Sequence, residues 1–199
     1  MKIYGDVVSG NCLKVQYTAD YLAIPYEWIP IDIQRQESRS DEFLALSSAG
    51  QVPVIELPDG RTLAQSNAII GFLANGSALL PGDPYDLAKV NEWLFWEQYS
   101  HEPYVAVCRF AMKYLSKSAE EREPWRVERG EVALDHLENA LKSAQWLATA
   151  SFTIADISLL AYTRLAAEGG FDLASRAKVR AWIERCEAEL GIKCAADTA

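Results

Sequence analysis

The chain has 199 residues, half of them hydrophobic, and a formal net charge of −9, so it can bury a sizeable core. An acidic surface argues against nucleic acid or an anionic membrane as the main partner. No apolar run approaches the roughly 20 residues that span a bilayer and the N-terminus lacks a signal peptide's apolar stretch, so we expect a cytoplasmic location and no membrane partner.

The first 76 residues alternate between strand-like and helix-like segments. Period-two apolar patterns predict strands, helical spacing predicts helices, and Pro58-Asp59-Gly60 predicts a hairpin turn. The resulting order, βαβ-α-ββα, is typical of a thioredoxin-like α/β domain. The predicted strands are residues 2–7, 26–33, 51–57 and 61–64, and the predicted helices are residues 11–23, 41–46 and 66–73.

Residues 77–86 are rich in Gly, Ser, Pro and Asp, which predicts a linker. Beyond the linker, residues 87–199 lack strand patterning and predict an all-α helical domain. The predicted helices are residues 87–115, which can bend near Pro103, and residues 120–147, 154–168 and 174–190.

The four cysteines and two histidines are scattered along the chain. The cysteines form neither a C-x-x-C pair nor a zinc-ligand spacing, and the histidines lie far apart. We therefore expect free thiols and no metal site. These residues are Cys12, Cys108, Cys186, Cys194, His101 and His136.

Small polar side chains follow the first predicted strand, where the first helix begins. Unpaired N–H groups and the helix dipole at such a junction favour an anion. The hydroxyl of Ser9 or the amide of Asn11 could each donate a hydrogen bond to a thiolate, and the position of Cys12 could lower its own pKa. The structural alternative is that Ser9 or Asn11 only caps the helix.

A proline opens the predicted hairpin in the segment Gln51-Val52-Pro53. It fits either a turn with a cis peptide bond or an ordinary edge strand. In a cis turn, the N–H and C=O of Val52 would face outward and could pair with an extended peptide. The residues alone leave the two alternatives open.

Gln65 and Ser66 open the third predicted helix. Ser66 is the predicted N-cap, and the N–H groups beside it could bind a carboxylate. Gln65 could accept a hydrogen bond from an amine. Neighbouring amine and carboxylate groups define an amino-acid end, such as a γ-glutamyl group, whereas a plain cap is the alternative.

A fourth signal, in the helical region, is structural. Thr153 and Asp156 match a capping box, and Phe152 and Ile157 occupy the positions of a hydrophobic staple. We expect this segment to fix a buried helix start and to have no catalytic role.

Together, these segments resemble the soluble glutathione S-transferase family, in order and spacing over nearly the whole chain. The resemblance implies a thioredoxin-like glutathione-binding domain over residues 1–76 and an all-helical domain over residues 87–199. It also implies a homodimer that uses glutathione as co-substrate. The matching segments are Ser9-x-x-Cys12-x-Lys14-Val15, Val52-Pro53, Gln65-Ser66-x-Ala68-Ile69 and Thr153-Ile154-Ala155-Asp156.

The resemblance implies roles for individual residues. Val52 would pair its backbone with the cysteinyl part of glutathione, beside a cis-proline at Pro53. Gln65 and Ser66 would hold the γ-glutamyl end.

The glycyl end of glutathione departs from the pattern. Many relatives carry Lys where this chain has Gln51, which offers a hydrogen bond without a charge. We expect the glycyl carboxylate to depend on Arg35, Gln36 or Arg39 in the loop before the second helix.

Classes of the family differ in the residue that activates the thiol. Serine-type classes use a residue matching Ser9, and a bacterial disulfide-reductase-like class uses Thr and Asn at the positions of Ser9 and Asn11. Tyr4 lies inside the first strand and is given no such role. Cys12 resembles the second, buried cysteine of a redox pair, so we rank Ser9 first, Asn11 second and Cys12 third.

The electrophile pocket is expected between the loops of the first domain and the helix 87–115. Tyr99, His101 and Arg109 are the polar side chains of that helix expected to reach it, and Arg109 could stabilise an anionic transition state. No motif identifies the electrophile.

Three functions fit these residues. The leading hypothesis is conjugation of the glutathione thiolate to small hydrophobic electrophiles. A close variant is glutathione-dependent reduction of disulfides or peroxides. The third, from another class, is a non-catalytic interaction module, against which the presence of the whole glutathione-binding set argues.

Overall fold

The computed structural model describes residues 1–193, and the chain divides into two compact units, Met1–Leu80 and Pro81–Ala199. The first unit is an α/β domain built on one four-stranded sheet, and the second is helical. This confirms the predicted fold class. Cys194 lies outside the described residues. In the part of the chain that the structure describes, no helix is long and apolar enough to cross a membrane.

The sheet of the first unit has the strand order β2-β1-β3-β4. β1 runs parallel to β2 and antiparallel to β3, and β3 pairs antiparallel with β4. Ile3 in β1 pairs with Ile55 in β3, and both are fully buried, which places the core at the centre of the sheet. The strands are β1 (Lys2–Gly5), β2 (Glu27–Pro30), β3 (Val54–Glu56) and β4 (Thr62–Ala64).

Three helices complete this unit: α1 (Gly10–Tyr21), α2 (Asp41–Leu46) and α3 (Ser66–Ala74). α1 packs against α3, because each presents an apolar stripe at helical spacing. Cys12, Val15 and Ala19 of α1 are fully buried, as are Ile69 and Ile70 of α3. This packing brings the N-termini of the two helices together.

Several boundaries differ from those predicted, for local reasons. α1 ends at Tyr21, short of residue 23, since Ala23 has a φ of 51° and leaves helical geometry. β2 ends at Pro30 because Asp32 begins a turn, its carboxylate accepting from the backbone N–H groups of Gln34 and Arg35.

The second unit contains five α-helices among its described residues. A π-helical segment, Glu97–His101, joins the first two, so the single long helix predicted over residues 87–115 is a continuous helical run with a π segment before Pro103. The helices are α4 (Pro84–Trp96), α5 (Glu102–Lys113), α6 (Pro124–Ala140), α7 (Ile154–Thr163) and α8 (Ala177–Leu190).

α7 is the centre of the helical unit, and all of its residues are buried. The predicted capping box is present at Thr153 and Asp156. The Asp156 carboxylate also accepts hydrogen bonds from the Leu147 N–H at 3.0 Å and the Trp182 indole at 2.9 Å. Burial raises the pKa of Asp156, and these hydrogen bonds oppose the rise. One carboxylate therefore ties α7, α8 and the segment before α7 together.

Candidate functional site

Ser9 stands at the N-terminus of α1. Its backbone is extended, with φ −73° and ψ 123°, and its carbonyl accepts the first helical bond from the Leu13 N–H at 3.0 Å. Within residues 1–193, the Ser9 side chain makes no capping hydrogen bond. Ser9 is thus the N-cap by position, while its hydroxyl is not used to satisfy the helix end.

Cys12 lies in the first turn of α1 and is fully buried. Burial raises the pKa of its thiol to about 12, although hydrogen bonds from the Asp6 backbone and the Ser9 side chain oppose the rise. The thiol is therefore protonated at neutral pH, and the environment of Cys12 is opposite to that of an activated cysteine.

Asn11 and Ser66 are joined directly. The Ser66 hydroxyl donates to Asn11 Oδ1 over 2.9 Å, and Ser66 is only 5% exposed. Ser66 was predicted to be the N-cap of α3, which is wrong by one residue: Gln65 is the N-cap and Ser66 is the first helical residue. The reason is that the Ser66 hydroxyl bonds to α1 rather than to its own helix.

The two helix N-termini form an electropositive corner of the α/β unit. In their first turns, which are fully described, neither α1 nor α3 carries an acidic residue. The positive ends of both helix dipoles are therefore not neutralised from within the helices, and their N–H groups can bind an anion. Asp6 is the nearby acid, and its carboxylate accepts from the Val8 N–H at 2.8 Å.

Gln65 has an unusual backbone conformation, with φ 71° and ψ 111°. Positive φ is uncommon for a residue other than glycine and costs on the order of 1–3 kcal/mol. The side chain is exposed. Such outliers concentrate at binding sites, and this one lies beside Ser66.

The peptide bond between Val52 and Pro53 is cis, which decides between the two alternatives that the sequence left open. β3 begins only at Val54, so Val52 precedes the sheet ladder. Pro53 is buried, Val52 is half-buried and Gln51 is exposed.

The two arginines expected near the glycyl carboxylate, Arg35 and Arg39, differ in placement. Arg35 is 82% exposed in its side chain and lies 3.5 Å from the Asp32 carboxylate. Arg39 donates to the Ala49 carbonyl at 3.1 Å, which holds its guanidinium beside the loop that leads to Gln51. Of the two arginines, Arg39 is therefore the one whose guanidinium is held by a residue near Gln51 in the sequence.

Tyr4 is engaged elsewhere. Its hydroxyl donates to Glu56 Oε2 at 2.6 Å, and this hydrogen bond raises the pKa of Tyr4. A hydroxyl that is held by a carboxylate and is harder to ionise is a poor partner for a thiolate.

The three side chains suggested for the electrophile pocket differ in exposure. Tyr99 is 81% exposed. His101 is fully buried, with Nε2 3.1 Å from Thr163 Oγ1. Arg109 is also buried and forms an ion pair with Glu168 at 2.8 Å. His101 and Arg109 therefore take part in packing within the helical unit.

A cavity of about 260 Å³ lies in the helical unit, and neither Tyr99 nor His101 lines it. The residues that line it include apolar side chains of α5 as well as Arg122 and Arg126. Both arginines serve the fold, since Arg122 donates to the backbone carbonyls of residues 169–170 and Arg126 to that of Pro103. All of its lining residues fall within residues 107–126, at the end of α5 and in the segment that leads into α6.

Comparison with known proteins gives a consistent result. A family model for the glutathione S-transferase N-terminal domain matches residues 8–75, and one for the C-terminal domain matches residues 99–189. A glutathione S-transferase structure from Pseudomonas fluorescens is 44% identical, covers 94% of each chain and has a TM-score of 0.91. One from Xanthobacter autotrophicus is 40% identical over 100% of this chain and 99% of that one, with a TM-score of 0.92. A glutathione S-transferase of Hyoscyamus muticus is 27% identical over 79% of this chain and 78% of its own length.

Proposed function

This chain belongs to the glutathione S-transferase family, whose enzymes use glutathione as co-substrate, and we propose that it conjugates the glutathione thiolate to small hydrophobic electrophiles. The observation that carries the proposal is the meeting of the α1 and α3 N-termini at the hydrogen bond between Ser66 and Asn11. An anionic peptide such as glutathione fits a corner built from two positive helix ends.

Thiolate stabilisation is assigned to Ser9 first and to Asn11 second. A free thiol has a pKa of roughly 8.5. A hydrogen bond to a charged group contributes about 1.5–3 kcal/mol, and each pKa unit corresponds to about 1.4 kcal/mol. One donor at the helix N-terminus is therefore sufficient to lower the thiol pKa by about one to two units, and a lowering of about two units ionises most of the thiol at neutral pH.

The γ-glutamyl end is assigned to the start of α3. The N–H groups of Ser66 and Asn67 are in its first turn and can hold the carboxylate. The exposed side chain of Gln65 can accept a hydrogen bond from the ammonium group. In this assignment, the positive φ of Gln65 sets the direction in which its side chain leaves the backbone toward the ammonium group.

The remaining contacts are assigned to the loop before β3. The backbone of Val52, outside the sheet ladder, pairs with the cysteinyl part of glutathione beside Pro53. The glycyl carboxylate is bound by Gln51, with Arg39 or Arg35 supplying positive charge. Because both arginines are exposed, this end should contribute little to affinity.

Glutathione-dependent reduction of disulfides or peroxides is the second candidate, because Asn11 lies at the same helix start as Ser9. The raised pKa of Cys12 argues that this thiol takes no part. In either reaction, glutathione supplies the nucleophilic sulfur. A non-catalytic interaction module is the third candidate.

We also propose a cytoplasmic homodimer. Two aromatic side chains of α4, Tyr85 and Phe95, are about three-quarters exposed and can be covered by a second copy. The polar Tyr99 follows on the same helical run and is the one of the three suggested side chains that we retain for the electrophile pocket, since His101 and Arg109 are buried.

The test is a panel of reactions with the purified protein. Glutathione is paired in turn with an aryl halide, a peroxide and a mixed disulfide, and turnover is compared with the uncatalysed rate. Faster turnover of the aryl halide supports conjugation, and faster turnover of only the disulfide or peroxide supports reduction. Failure to bind a glutathione-affinity column would contradict both and favour the interaction module.

A further inference from the structure

The cavity at the end of α5 shares no lining residue with the positions assigned above to glutathione or to the electrophile. Its volume of about 260 Å³ equals that of roughly nine water molecules in the liquid, which limits an occupant to about ten heavy atoms. Three large apolar side chains that line it, Val107, Phe110 and Leu115, are between 37% and 55% exposed. The cavity therefore offers apolar surface to a small ligand.

Arg122 places a positive charge at this cavity. Its guanidinium donates to the carbonyl oxygens of Ala119, Gly169 and Gly170 at 2.9, 2.8 and 3.1 Å, which fixes its position. Within residues 1–193, no carboxylate forms an ion pair with it. Burial raises the pKa of the Cys108 thiol, which also lines the cavity, and the charge of Arg122 opposes this rise. The positive charge is therefore felt at the cavity wall.

The two acidic side chains that line the cavity are both engaged. The Glu121 carboxylate accepts from a backbone N–H at 2.8 Å, and Glu123 forms an ion pair with Arg126. The exposed Lys117 adds a further cation to the lining. The cavity thus has a cationic excess of one, with Arg122 as its unpaired charge, in a chain whose net charge is −9.

We propose that this cavity binds a small carboxylate with an apolar body: Arg122 pairs with the carboxylate, and the apolar side chains of α5 cover the body. A guanidinium has five N–H donors, more than the three carbonyl oxygens use, and its planar fork matches a carboxylate. A dianion fits less well, because Glu121 and Glu123 would repel the second charge. The site lies apart from the proposed reaction and needs no glutathione.

Calorimetric titration of the full-length protein with octanoate and with octan-1-ol tests the need for the charge. Both probes have an eight-carbon chain, and only octanoate has a carboxylate. We expect saturable octanoate binding with a Kd on the order of 0.1 mM. Octan-1-ol should bind about tenfold more weakly or worse, since it lacks the charge-assisted hydrogen bonds. No saturable octanoate binding, or equal binding of the two probes, would overturn the inference.

Two variants test the charged and the apolar parts of the cavity. Arg122→Gln should raise the Kd for octanoate about tenfold and change that for octan-1-ol less than about threefold. Because Arg122 also holds the backbone, Ala111→Leu is the second variant; it keeps Arg122 and fills part of the cavity, so both probes should bind about tenfold more weakly. Ala188→Leu, at an exposed position of α8, is its control and should leave both Kd values unchanged. Unchanged octanoate affinity in a folded Ala111→Leu would overturn the inference.

The same titration in the presence of saturating S-hexylglutathione separates this cavity from the proposed electrophile pocket. Since the two share no lining residue, the Kd for octanoate should be the same with and without S-hexylglutathione. A Kd that rises with the concentration of S-hexylglutathione would place octanoate in the electrophile pocket and overturn the inference.

Discussion

The hydroxyl of Ser66 and the amide oxygen of Asn11 lie 2.9 Å apart, although 55 positions separate the two residues in the chain. The hydrogen bond joins the first turn of α3 to the first turn of α1 and places two positive helix ends side by side. The residue proposed to assist the thiolate and the residue proposed to hold the γ-glutamyl end therefore belong to one contact. A substitution at either residue should therefore affect both thiolate stabilisation and binding of the γ-glutamyl end.

Adding charge at Gln51 should strengthen binding. Gln51→Lys supplies the glycyl carboxylate with a cation, and an exposed pair of this kind is worth about 0.5–1 kcal/mol. We expect the Kd for glutathione to fall about two- to fivefold by calorimetry, with a smaller gain in high salt. Pro58→Lys, at the exposed hairpin turn, adds the same charge away from the site. An equal gain in this control would contradict a local contact.

Gln65→Gly should raise stability and lower affinity at once. Glycine accepts the φ of 71° without steric cost, so the free energy of unfolding should rise by up to about 1 kcal/mol. Loss of the side chain that accepts from the ammonium group should raise the Kd for glutathione several-fold. Ala23→Gly, at another positive φ, is the matched control and should stabilise without affecting the Kd. Unchanged affinity in Gln65→Gly would argue that the conformation is unrelated to binding.

Cys12 should be dispensable for chemistry. Its thiol is buried and has a pKa of about 12, so it should resist alkylation in the folded protein at neutral pH. Cys12→Ala should retain kcat within about threefold, with a loss of stability of about 1–2 kcal/mol from the buried cavity. Mass spectrometry after brief alkylation checks the resistance of Cys12 to alkylation, and steady-state kinetics of Cys12→Ala checks kcat. A large fall in kcat of a folded Cys12→Ala would show that the sulfur takes part.

Asp156 should dominate the stability of the helical unit. In Asp156→Asn an NH2 group replaces an acceptor that faces buried N–H donors, and we expect a loss of about 2–4 kcal/mol in chemical denaturation. Glu128→Gln, at an exposed acid of α6, is the control and should change stability by less than about 0.5 kcal/mol.

Asp156 should also affect how the free energy of unfolding depends on pH. Burial raises the pKa of Asp156 above its unfolded value, so the folded protein binds the proton more tightly. The contribution of Asp156 to the free energy of unfolding therefore falls as pH rises through the window between the unfolded and folded pKa values. Wild type should show this slope and Asp156→Asn should lack it; parallel pH profiles would contradict the shift.

Local signals in the sequence predicted the features that depend on neighbours in the chain. The polar start of α1 and the capping box at Thr153 are recognisable within a few residues, whereas the proline after Val52 left a cis turn and an edge strand open. Backbone chemistry at turns and helix ends is local, so these predictions needed no knowledge of the fold.

The features that sequence reasoning missed depend on partners far along the chain. Ser66 looked like an N-cap because its bond to Asn11 cannot be seen without the packing of α1 on α3. His101 and Arg109 looked available for a pocket, but Thr163 and Glu168, about 60 residues away, engage them. A polar residue on a helical stripe carries no local sign of whether a distant element covers it.

We propose above all that Ser9, with Asn11, lowers the pKa of the thiol of bound glutathione. Ultraviolet titration of the thiolate in the binary complex measures this directly, in wild type and in Ser9→Ala. We expect a wild-type thiol pKa about one to two units below the roughly 8.5 of an unperturbed thiol and a rise of about one unit in Ser9→Ala. An unshifted pKa in wild type, or the same lowered value in both proteins, would contradict the assignment of thiol activation to Ser9.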